Sequence, residues 1–400
     1  MSLENTPRSQ RIHIAFFGDR NAGKSSLVNA VTGQTLAVVS NVKGTTTDPV
    51  YKSMELLPLG PITVIDTPGY DDEGELGQLR VEKTTQILAK TDIAVLVVDA
   101  LTGLTETNQQ LMSLFKEKNT PFLTVYNKSD LLSTLPENTK QTIYTSAINN
   151  QNIDLLKNTI ASMVSVNEMP PLVYDLVSQG KITVLVTPID DSAPKGRLIL
   201  PQQLVIRDLL DHHLPCIITQ TQELPQVLAS LGDTSGLVIT DSQAFRTVSA
   251  MVPRTLPLTS FSILMARQKG FLETAVKGAR TLDDLQDGDT VLIAEGCTHH
   301  RQCEDIGTVK LPKWIEQYTQ KKLNFIFTSG TQFPTTFENV RLVIHCGGCM
   351  LNNKEVLSRM NTAVNQSIPF TNYGTAIAHI NGILQRSISI FPWATETEKE

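Results

Sequence analysis

A loop near the start of the chain has the residue types and the spacing that phosphate binding requires. The loop reads Gly18-Asp-Arg-Asn-Ala-Gly23-Lys24-Ser25, follows the apolar run Ile12–Phe17, and leads into a helical run that Gly33 ends. In this order of strand, glycine loop and helix, the N–H groups at the helix start point at the anion. The two glycines let the backbone pass close to the phosphates, Lys24 can reach the β- and γ-oxygens, and the Ser25 hydroxyl can bind Mg²⁺. We assign nucleotide binding in this loop to Gly18, Asn21, Ala22, Gly23, Lys24, Ser25 and Ser26.

Two later segments can complete a site for a magnesium-bound nucleoside triphosphate. The polar stretch Gly44-Thr-Thr-Thr-Asp48 offers Thr46, with Thr45 as the alternative, as a residue that meets Mg²⁺ and the γ-phosphate. The apolar run Ile62–Ile65 ends in Asp66-Thr-Pro-Gly69, where Asp66 can hold Mg²⁺ directly or through water and the Gly69 N–H can sense the γ-phosphate. We assign catalysis to Lys24, Thr46, Asp66 and Gly69, and Mg²⁺ binding to Ser25, Thr46 and Asp66.

A third segment predicts which base the nucleotide carries. The apolar run Phe122–Tyr126 ends in Asn127-Lys128-Ser-Asp130. The Asp130 carboxylate can accept two hydrogen bonds from guanine N1 and N2, whereas adenine would leave it unpaired at a cost of about 1–3 kcal/mol. Asn127 and Lys128 support the ring, and the segment Thr145-Ser146-Ala147 supplies a backbone N–H for guanine O6. We therefore expect GTP and GDP as ligands.

These segments share one position relative to the predicted strands. Each lies at the carboxyl end of a strand, which is where ligands bind in doubly wound sheets. Residues 10–165 resemble the translation-factor-like GTPases, particularly the branch that contains the tRNA-modifying GTPase MnmE and the ribosome-assembly GTPase Era. The resemblance implies a Ras-like P-loop GTPase domain with slow turnover.

Two residues indicate how GTP hydrolysis in this chain differs from that of Ras-like enzymes. Asn21 occupies the position at which potassium-activated members of this branch carry an asparagine that binds K⁺, and Tyr70 stands where Ras-like enzymes carry a water-orienting glutamine. A monovalent cation against the phosphates can neutralise transition-state charge as an arginine finger does. We therefore expect faster GTP hydrolysis in KCl than in NaCl. The alternative is that Asn21 is a loop residue that bonds its own backbone.

Length, charge and composition set limits on the whole chain. With 400 residues we expect two or three domains. A net charge of −6 and a pI near 5.7 argue against nucleic acid as the main partner. No apolar run reaches the roughly 18–20 residues of a membrane span, and the N-terminus lacks an apolar signal core, so we expect a cytoplasmic protein.

The predicted architecture is α/β, with three domains that each contain a mainly parallel sheet flanked by helices. We expect a disordered N-terminus at 1–9, the P-loop GTPase domain at 10–168, a small α/β dimerisation domain at 171–260 and a metal-binding domain at 261–395. In the middle domain, strands and helices alternate as in βαβ units, and no catalytic constellation occurs. Cys216 follows a proline and leads an apolar strand, which predicts a buried core cysteine. In the last domain, Thr375–Arg386 predicts one helix.

The last third of the chain contains a second set of chemically active residues. Four of the five cysteines fall between 297 and 349, a clustering that in a reducing compartment indicates metal binding or thiol chemistry. Cys297 follows the predicted strand Thr290–Ala294, and His345-Cys346-Gly-Gly-Cys349 follows Leu342–Ile344. In a parallel sheet both strand ends lie at one edge, so the three thiols can converge.

The donor set narrows the choice of metal. Zinc sites usually use four ligands, often as two Cys-x-x-Cys pairs, whereas three thiolates with one weakly held position suit an iron–sulfur cluster that exchanges a ligand. Zinc binding, thiol chemistry and purely structural cysteines remain alternatives. The candidates for the fourth position are His299, His345 and Glu304, and Cys303 is either a ligand or a bystander.

The spacing Cys297-x-His299, 45 intervening residues, then His345-Cys346-x-x-Cys349 resembles the signature of HydF, the iron-only hydrogenase maturation GTPases. The resemblance covers residues 10–390 and implies a 4Fe–4S cluster on Cys297, Cys346 and Cys349, with His299 and His345 as the family histidines. It also implies a homodimeric scaffold that receives a 2Fe precursor as cargo and delivers it to apo-hydrogenase, with radical-SAM maturases as further partners. The alternative functions are an iron–sulfur GTPase of tRNA modification and a zinc-containing GTPase of ribosome assembly.

Overall fold

A computed structural model describes residues 6–33, 49–69, 75–164, 170–189, 198–296, 305–330 and 332–395. Side chains are described within these ranges except at 75–80 and 395. Some residues discussed above lie outside the described residues, namely the whole segment 44–48 with Thr45 and Thr46, and Tyr70, Cys297, His299, Cys303 and Glu304. Contacts divide the chain into two compact units, Met1–Asn167 with Asn352–Ser358 and Glu168–Leu351 with Arg359–Glu400.

The described strands form three sheets, as the sequence predicted. They are β1 (Ile12–Phe17), β2 (Val50–Leu56), β3 (Gly60–Asp66), β4 (Ile93–Asp99), β5 (Phe122–Asn127), β6 (Thr142–Tyr144), β7 (Ile182–Val186), β8 (Cys216–Thr219), β9 (Ser235–Thr240), β10 (Leu258–Ser260), β11 (Thr290–Glu295), β12 (Asn324–Ser329), β13 (Val340–His345) and β14 (Phe370–Asn372).

Helices connect and cover these strands. They are α1 (Lys24–Thr32), α2 (Glu75–Leu88), α3 (Glu106–Glu117), α4 (Ile153–Met163), α5 (Leu200–Asp211), α6 (Leu224–Leu231), α7 (Phe245–Met251), α8 (Phe261–Gln268), α9 (Leu272–Ala279), α10 (Leu311–Thr319), α11 (Asn353–Val364), α12 (Tyr373–Ile380) and α13 (Leu384–Ile388). Among these described helices, none combines the length and the apolar character that a membrane crossing requires.

The first sheet has the order β2-β3-β1-β4-β5-β6 and is parallel except for β2, which pairs antiparallel with β3. The sequences of β1 and β4 are almost entirely apolar, because helices cover both faces of the sheet at these two central strands. One face packs against α1 and α4, through residues such as Leu27 and Leu156. The other packs against α2 and α3, through residues such as Ile87 and Phe115. The carboxyl ends of the parallel strands therefore meet at one edge, which the nucleotide motifs follow.

The second and third sheets both belong to the second compact unit. Their orders are β10-β9-β7-β8 and β12-β11-β13-β14, and every pairing in them is parallel. The predicted mainly parallel α/β fold is thus confirmed, whereas the division into three domains stays a prediction.

Several expectations differ from the structure for local physical reasons. Residues 373–388 form two helices rather than one, because Gly382 adopts φ +68° and ends the first. Cys216 is only half-buried, because β8 is the outer strand of its sheet. At the N-terminus, Arg8–Gln10 forms a turn of 3-10 helix in which Ser9 is buried, although disorder was expected up to residue 9.

Arg386 ties α13 to the end of α7 and to the loop that follows it and precedes β10. Its guanidinium donates to the carbonyl oxygens of Ser249, Val252, Pro253 and Leu256 at 2.7–3.3 Å. Four carbonyl groups of this segment thus share a single cation. Because unpaired carbonyl groups are costly, this side chain stabilises the second unit.

We expect Arg386→Met to lower the free energy of unfolding of the second unit by about 2 kcal/mol, the scale of hydrogen bonds to a charged group. Both tryptophans, Trp314 and Trp393, lie in that unit, so their fluorescence during urea unfolding reports on it. The exposed Arg280, in the same unit, provides the control, and Arg280→Met should leave the urea midpoint unchanged. Equal midpoints for the two variants would show that the carbonyl contacts contribute nothing.

Candidate functional site

Glycine is required at both ends of the phosphate loop. Gly18 has φ +142°, and an added Cβ would lie 2.1 Å from the Val97 carbonyl oxygen. Gly23 has φ +87°, and an added Cβ would lie 2.3 Å from Asn127 Nδ2. These positive φ values and close approaches exclude other residues. The loop between them leads into α1, and the anion site expected at the first N–H groups of this helix stays a prediction.

Lys24 is buried at the centre of this loop. Its Nζ donates to the carbonyl oxygens of Gly18 at 2.9 Å and Asp19 at 2.7 Å. The ammonium group is thus held over the loop by backbone groups of the same loop. A phosphate placed at the start of α1 would meet this cation and the loop N–H groups together.

Ser25 and Asp66 face each other where Mg²⁺ was predicted. Burial raises the pKa of Asp66, while a hydrogen bond from the Ser25 side chain and the charge of Lys24 act in the opposite direction. Within the described part of the chain, Asp66 Oδ1 is buried without a hydrogen-bond partner. A buried carboxylate oxygen with no donor, beside a serine hydroxyl, fits a hard divalent cation. The third predicted ligand, Thr46, lies outside the described residues.

The segment after Asp66 packs directly against the phosphate loop. The Thr67 hydroxyl donates to the Phe16 carbonyl oxygen at 2.7 Å. A Cβ added to Gly69 would lie 3.1 Å from the Cα and Cβ of Arg20. Gly69 is therefore held next to the loop, as a residue that senses the γ-phosphate would need to be.

Asn127 links the base-recognition segment to the phosphate loop. Its Nδ2 donates to the carbonyl oxygens of Ala22 at 3.2 Å and Gly23 at 3.4 Å, and its Oδ1 accepts from the Ala147 N–H at 3.1 Å. The Ser146 N–H donates to the Gln151 carbonyl oxygen at 3.2 Å. The predicted donor to guanine O6 is thus engaged by Asn127, and the base would have to share or displace that bond.

Lys128 and Asp130 present the expected charges at the base position. Lys128 has φ +64°, and its Nζ donates to Asp99 Oδ2 at 2.6 Å. Burial opposes ionisation of Asp99, but hydrogen bonds from Lys128 and backbone N–H groups outweigh it and lower the pKa of that carboxyl group. Asp130 is exposed and open to a ligand. Sequence reasoning missed Asp99, because it lies 29 residues before Lys128 and belongs to no motif.

Asn21 lies in the exposed part of the phosphate loop. It adopts φ +63°, a conformation that asparagine tolerates better than most residues. Within the described residues its side chain makes no hydrogen bond, which leaves its amide oxygen open to a cation.

A partly buried polar network next to the loop was not predicted from the sequence. Asp19 Oδ2 accepts from the Thr105 hydroxyl at 2.7 Å and from Asn108 Nδ2 at 2.8 Å. Thr105 also caps α3 by accepting from the Asn108 N–H at 3.1 Å. The network fixes the phosphate loop to the start of α3. No motif signals it, because about 86–89 residues separate its partners.

The cysteine-bearing strand ends lie side by side in the third sheet. Strands β11 and β13 pair in parallel, with Ala294 opposite His345, and the Cys346 N–H donates to the Ala294 carbonyl oxygen at 2.8 Å. The Cys346 Sγ accepts from the Gly296 N–H at 3.1 Å and from the Gly348 N–H at 3.4 Å. Backbone N–H groups directed at sulfur stabilise a thiolate or a metal-bound sulfur. The residue after Gly296 in the chain is Cys297.

Cys349 lies near a buried cation. Burial raises the pKa of the Cys349 thiol, and the charge of Lys269 acts in the opposite direction. Lys269 is only 3% exposed, and its Nζ donates to the Leu351 carbonyl oxygen at 2.7 Å. A positive charge at this depth complements thiolates and the anionic cluster that they would hold. Sequence reasoning missed Lys269, which lies 80 residues before Cys349.

His345 is fully buried, and both of its ring nitrogens have protein partners. Nδ1 lies 2.7 Å from the Cys346 carbonyl oxygen, and Nε2 lies 3.3 Å from a guanidinium nitrogen of Arg359. Because a carbonyl only accepts and a guanidinium only donates, the proton resides on Nδ1. Burial and Arg359 lower the pKa of His345 to about 3. This placement argues against His345 as the fourth ligand and leaves His299 and Glu304, which lie outside the described residues.

A buried carboxylate, not predicted from sequence, ends β11. Glu295 is 5% exposed, and Tyr373 Oη donates to its Oε1 at 3.2 Å. Burial raises the pKa of Tyr373 well above its usual value, and negative charge at Cys346 and Glu295 adds to the effect. Tyr373 therefore stays protonated and acts as a hydrogen-bond donor next to the cysteine loop.

Among the described residues, no group of three or more His, Cys, Asp or Glu side chains is placed to hold a metal ion.

Three family models match the chain in succession. A model for 50S ribosome-binding GTPases matches residues 13–128. A model for the dimerization domain of hydrogen maturase F matches residues 172–270, and one for its tetramerization domain matches residues 273–390. The last of these covers the cysteine-bearing sheet.

Curated relatives resemble part of the chain. The tRNA modification GTPase MnmE of Nitrosomonas europaea is 37% identical over 151 residues, which is 36% of this chain and 33% of that protein. GTPase Der of Kosmotoga olearia is 33% identical over 138 residues, which is 33% of this chain and 31% of that protein. MnmE of Nostoc sp. is 29% identical over 58% of this chain and 49% of its own length. The chain thus spans between about a third and half of the length of these relatives.

Proposed function

Because this chain belongs to the hydrogen maturase F family, we propose that it is a GTP-hydrolysing scaffold in the maturation of iron-only hydrogenase. It binds a 4Fe–4S cluster with an exchangeable position, receives the 2Fe precursor as cargo, and delivers it to apo-hydrogenase. One observation carries this proposal more than any other. The Cys346 Sγ lies 3.1 Å from the amide nitrogen of Gly296, so the two cysteine-bearing strand ends approach each other at one edge of the third sheet.

The residues at this edge fit an iron–sulfur cluster better than zinc. Cys297, Cys346 and Cys349 would hold the cluster, and His299 or Glu304 would supply the fourth position. When bound, the cluster supplies an iron whose weakly held ligand can be exchanged for one from the cargo. This chain's own residues direct N–H groups at sulfur and place the cation of Lys269 beside the cysteine loop. Both features stabilise negative charge at the cysteines and the cargo.

The first unit supports GTP hydrolysis by positioning and charge. Lys24 and the loop N–H groups hold the β- and γ-phosphates, Ser25 and Asp66 with Thr46 hold Mg²⁺, and Asp130 selects guanine. Phosphoryl transfer needs little covalent chemistry from the protein, so such placement supplies most of the catalysis. We expect slow turnover, which suits a switch that controls partner docking or release.

The partners follow from this role. We propose apo-hydrogenase as the acceptor and the radical-SAM maturases as the source of cargo. We also propose that two chains form a homodimer through the segment 172–270, which the dimerization-domain match supports. We also propose a cytoplasmic location, since a site built on free thiols needs a reducing compartment.

The test of this function is maturation of an immature iron-only hydrogenase. The reconstituted protein, loaded with a 2Fe precursor, should restore hydrogen evolution to the apo-hydrogenase, and the unloaded protein should not. A protein that carries a cluster but never activates the hydrogenase would contradict the scaffold role. It would favour instead a GTPase of RNA modification, for which the likeness to MnmE over part of the chain is the supporting observation.

We expect GTP hydrolysis to be faster in KCl than in NaCl at equal ionic strength. The exposed amide oxygen of Asn21 can hold K⁺ against the phosphates, where it neutralises transition-state charge. An arginine finger raises kcat for GTP hydrolysis by about 10³-fold or more. K⁺ does not form the directional hydrogen bonds of that finger, so we expect a gain on the order of 10-fold. Phosphate release measured in each salt checks this expectation.

Asn21→Ala provides the matched comparison for the potassium effect. The variant should hydrolyse GTP at one rate in both salts, close to the rate of the unchanged protein in NaCl. Equal rates of the unchanged protein in the two salts would remove the potassium assignment, and a salt effect that persists in the variant would place the cation elsewhere.

A further inference from the structure

Strand β12 forms one edge of the third sheet. Among the described residues only β11 pairs with it, in a parallel register that runs from Thr290 opposite Asn324 to Glu295 opposite Ser329. The backbone N–H and C=O groups on the outer side of β12 therefore have no strand to pair with in the described part of the chain. Such an edge is open to another strand.

The side chains of β12 are exposed on both faces of the sheet. Ile326 is 45% exposed and Phe327 is 37% exposed. Because successive side chains of a strand point to opposite faces, these two residues lie on different faces. Phe325 lies on the same face as Phe327, with ring centroids 6.5 Å apart. Parallel sheets normally have both faces covered, so β12 departs from the pattern that the rest of this sheet follows.

The sequence of β12 contains none of the features that protect an exposed edge. It reads Asn-Phe-Ile-Phe-Thr-Ser, with no charge and no proline, and Lys321 and Lys322 lie outside the strand. A six-residue, uncharged, aromatic edge is an aggregation hazard unless a partner covers it. We therefore expect a specific partner.

A second copy of this chain is the partner that the family match favours. The hydrogen maturase F tetramerization model covers residues 273–390, which include all of β12, whereas the dimerization model ends at 270. Two self-association surfaces in two segments are what a tetramer built from two dimers requires. We propose that the second surface is the β12 edge, and that two copies join there by pairing their β12 strands.

Symmetry fixes the geometry of this junction. A two-fold axis brings the same patch of each copy together and makes the paired strands antiparallel. The two four-stranded sheets then form one continuous sheet, with Phe325, Ile326 and Phe327 of each copy packed against the other. In each copy the cysteine-bearing end of β11 lies beside the end of β12 at Ser329. Antiparallel pairing places the two cysteine sites at opposite edges of the joint sheet, so each copy binds its own cluster.

The test is the mass of the particle in solution. Ile326→Lys and Phe327→Lys each place a charge in the junction, and each should halve the particle mass measured by light scattering. Leu135→Lys is the control, because Leu135 is a comparably exposed apolar residue, at 42%, in the first unit. Iron bound per chain after reconstitution should not change, because the junction shares no cysteine site.

Hydrogen exchange of the unchanged protein provides a second measurement that needs no variant. The amides of residues 324–329 should exchange more slowly in concentrated than in dilute protein, because pairing covers them. Unchanged mass in both lysine variants would overturn the proposal. So would a protein that is never larger than a dimer, or exchange at 324–329 that does not depend on concentration. If the variants aggregate, the exchange measurement decides.

Discussion

Replacing Lys24 with Ala is expected to lower kcat/KM for GTP hydrolysis by about 10²- to 10³-fold. A loss of this size is usual when an enzyme loses one positioned hydrogen-bond donor that stabilises the negative charge of the transition state. The reason is its location, because Lys24 is buried in the phosphate loop with its Nζ held by the carbonyl oxygens of Gly18 and Asp19. Phosphate release from GTP measures the effect.

The same variant tests whether the nucleotide and cysteine sites are separable. Lys24→Ala should still assemble a cluster with the iron content of the unchanged protein, because Lys24 and the cysteine loop belong to different compact units. Lys116→Ala, on the exposed face of α3, is the control and should hydrolyse GTP normally. Hydrolysis at the normal rate in Lys24→Ala would refute the assigned role. Loss of the cluster in that variant would refute the separation of the sites.

Replacing Cys346 with Ser is expected to abolish cluster assembly and leave GTP hydrolysis unchanged. The Sγ of Cys346 accepts hydrogen bonds from two backbone N–H groups and lies where β11 and β13 end, which is where we expect the cluster. A serine hydroxyl is a hard, weakly acidic ligand that iron–sulfur clusters do not favour. Iron and sulfide analysis after anaerobic reconstitution, with the EPR spectrum of the reduced sample, measures the effect.

Cys216→Ser is the matched control for the cysteine prediction. Cys216 is half-buried in β8, in another sheet, and its loss should leave the iron content unchanged. A cluster that forms normally in Cys346→Ser would contradict the assignment. The effect of Cys303→Ser will show whether Cys303 is a ligand or a bystander.

The strands that precede the nucleotide motifs were predictable because each motif directly follows a contiguous apolar run. Gly18, Lys24, Asp66 and Asp130 each follow a buried apolar run, and a parallel sheet brings the carboxyl ends of its strands to one edge. The same rule predicted that the ends of β11 and β13 would be neighbours, which the register of Ala294 and His345 confirms. Local patterns are sufficient where the fold class alone determines which strand ends meet.

The residues that sequence reasoning missed act over long separations. Asp99 holds Lys128, the Thr105 and Asn108 pair holds Asp19, and Lys269 lies near Cys349, yet none of these partners belongs to a motif. Their roles depend on packing between elements far apart in the chain.

His345 shows a different limit of sequence reasoning. Its spacing suggested a metal ligand, but both ring nitrogens have protein partners, and only coordinates can show that. The antiparallel β2 was also missed, because the adjacent polar residues Lys52 and Ser53 interrupt the alternation of apolar and polar residues that would indicate an edge strand.

One measurement tests the central claim most directly, namely that thiols from both strand ends share one metal cluster. Crystals of the anaerobically reconstituted protein, measured at the iron absorption edge, locate the iron atoms without reference to any assignment. We predict one compact group of four irons per chain, within bonding distance of the sulfurs of Cys297, Cys346 and Cys349. Iron held by Cys346 and Cys349 alone, with Cys297 out of reach, or a single tightly bound zinc in its place, would contradict the scaffold and leave a GTPase whose third sheet has another role.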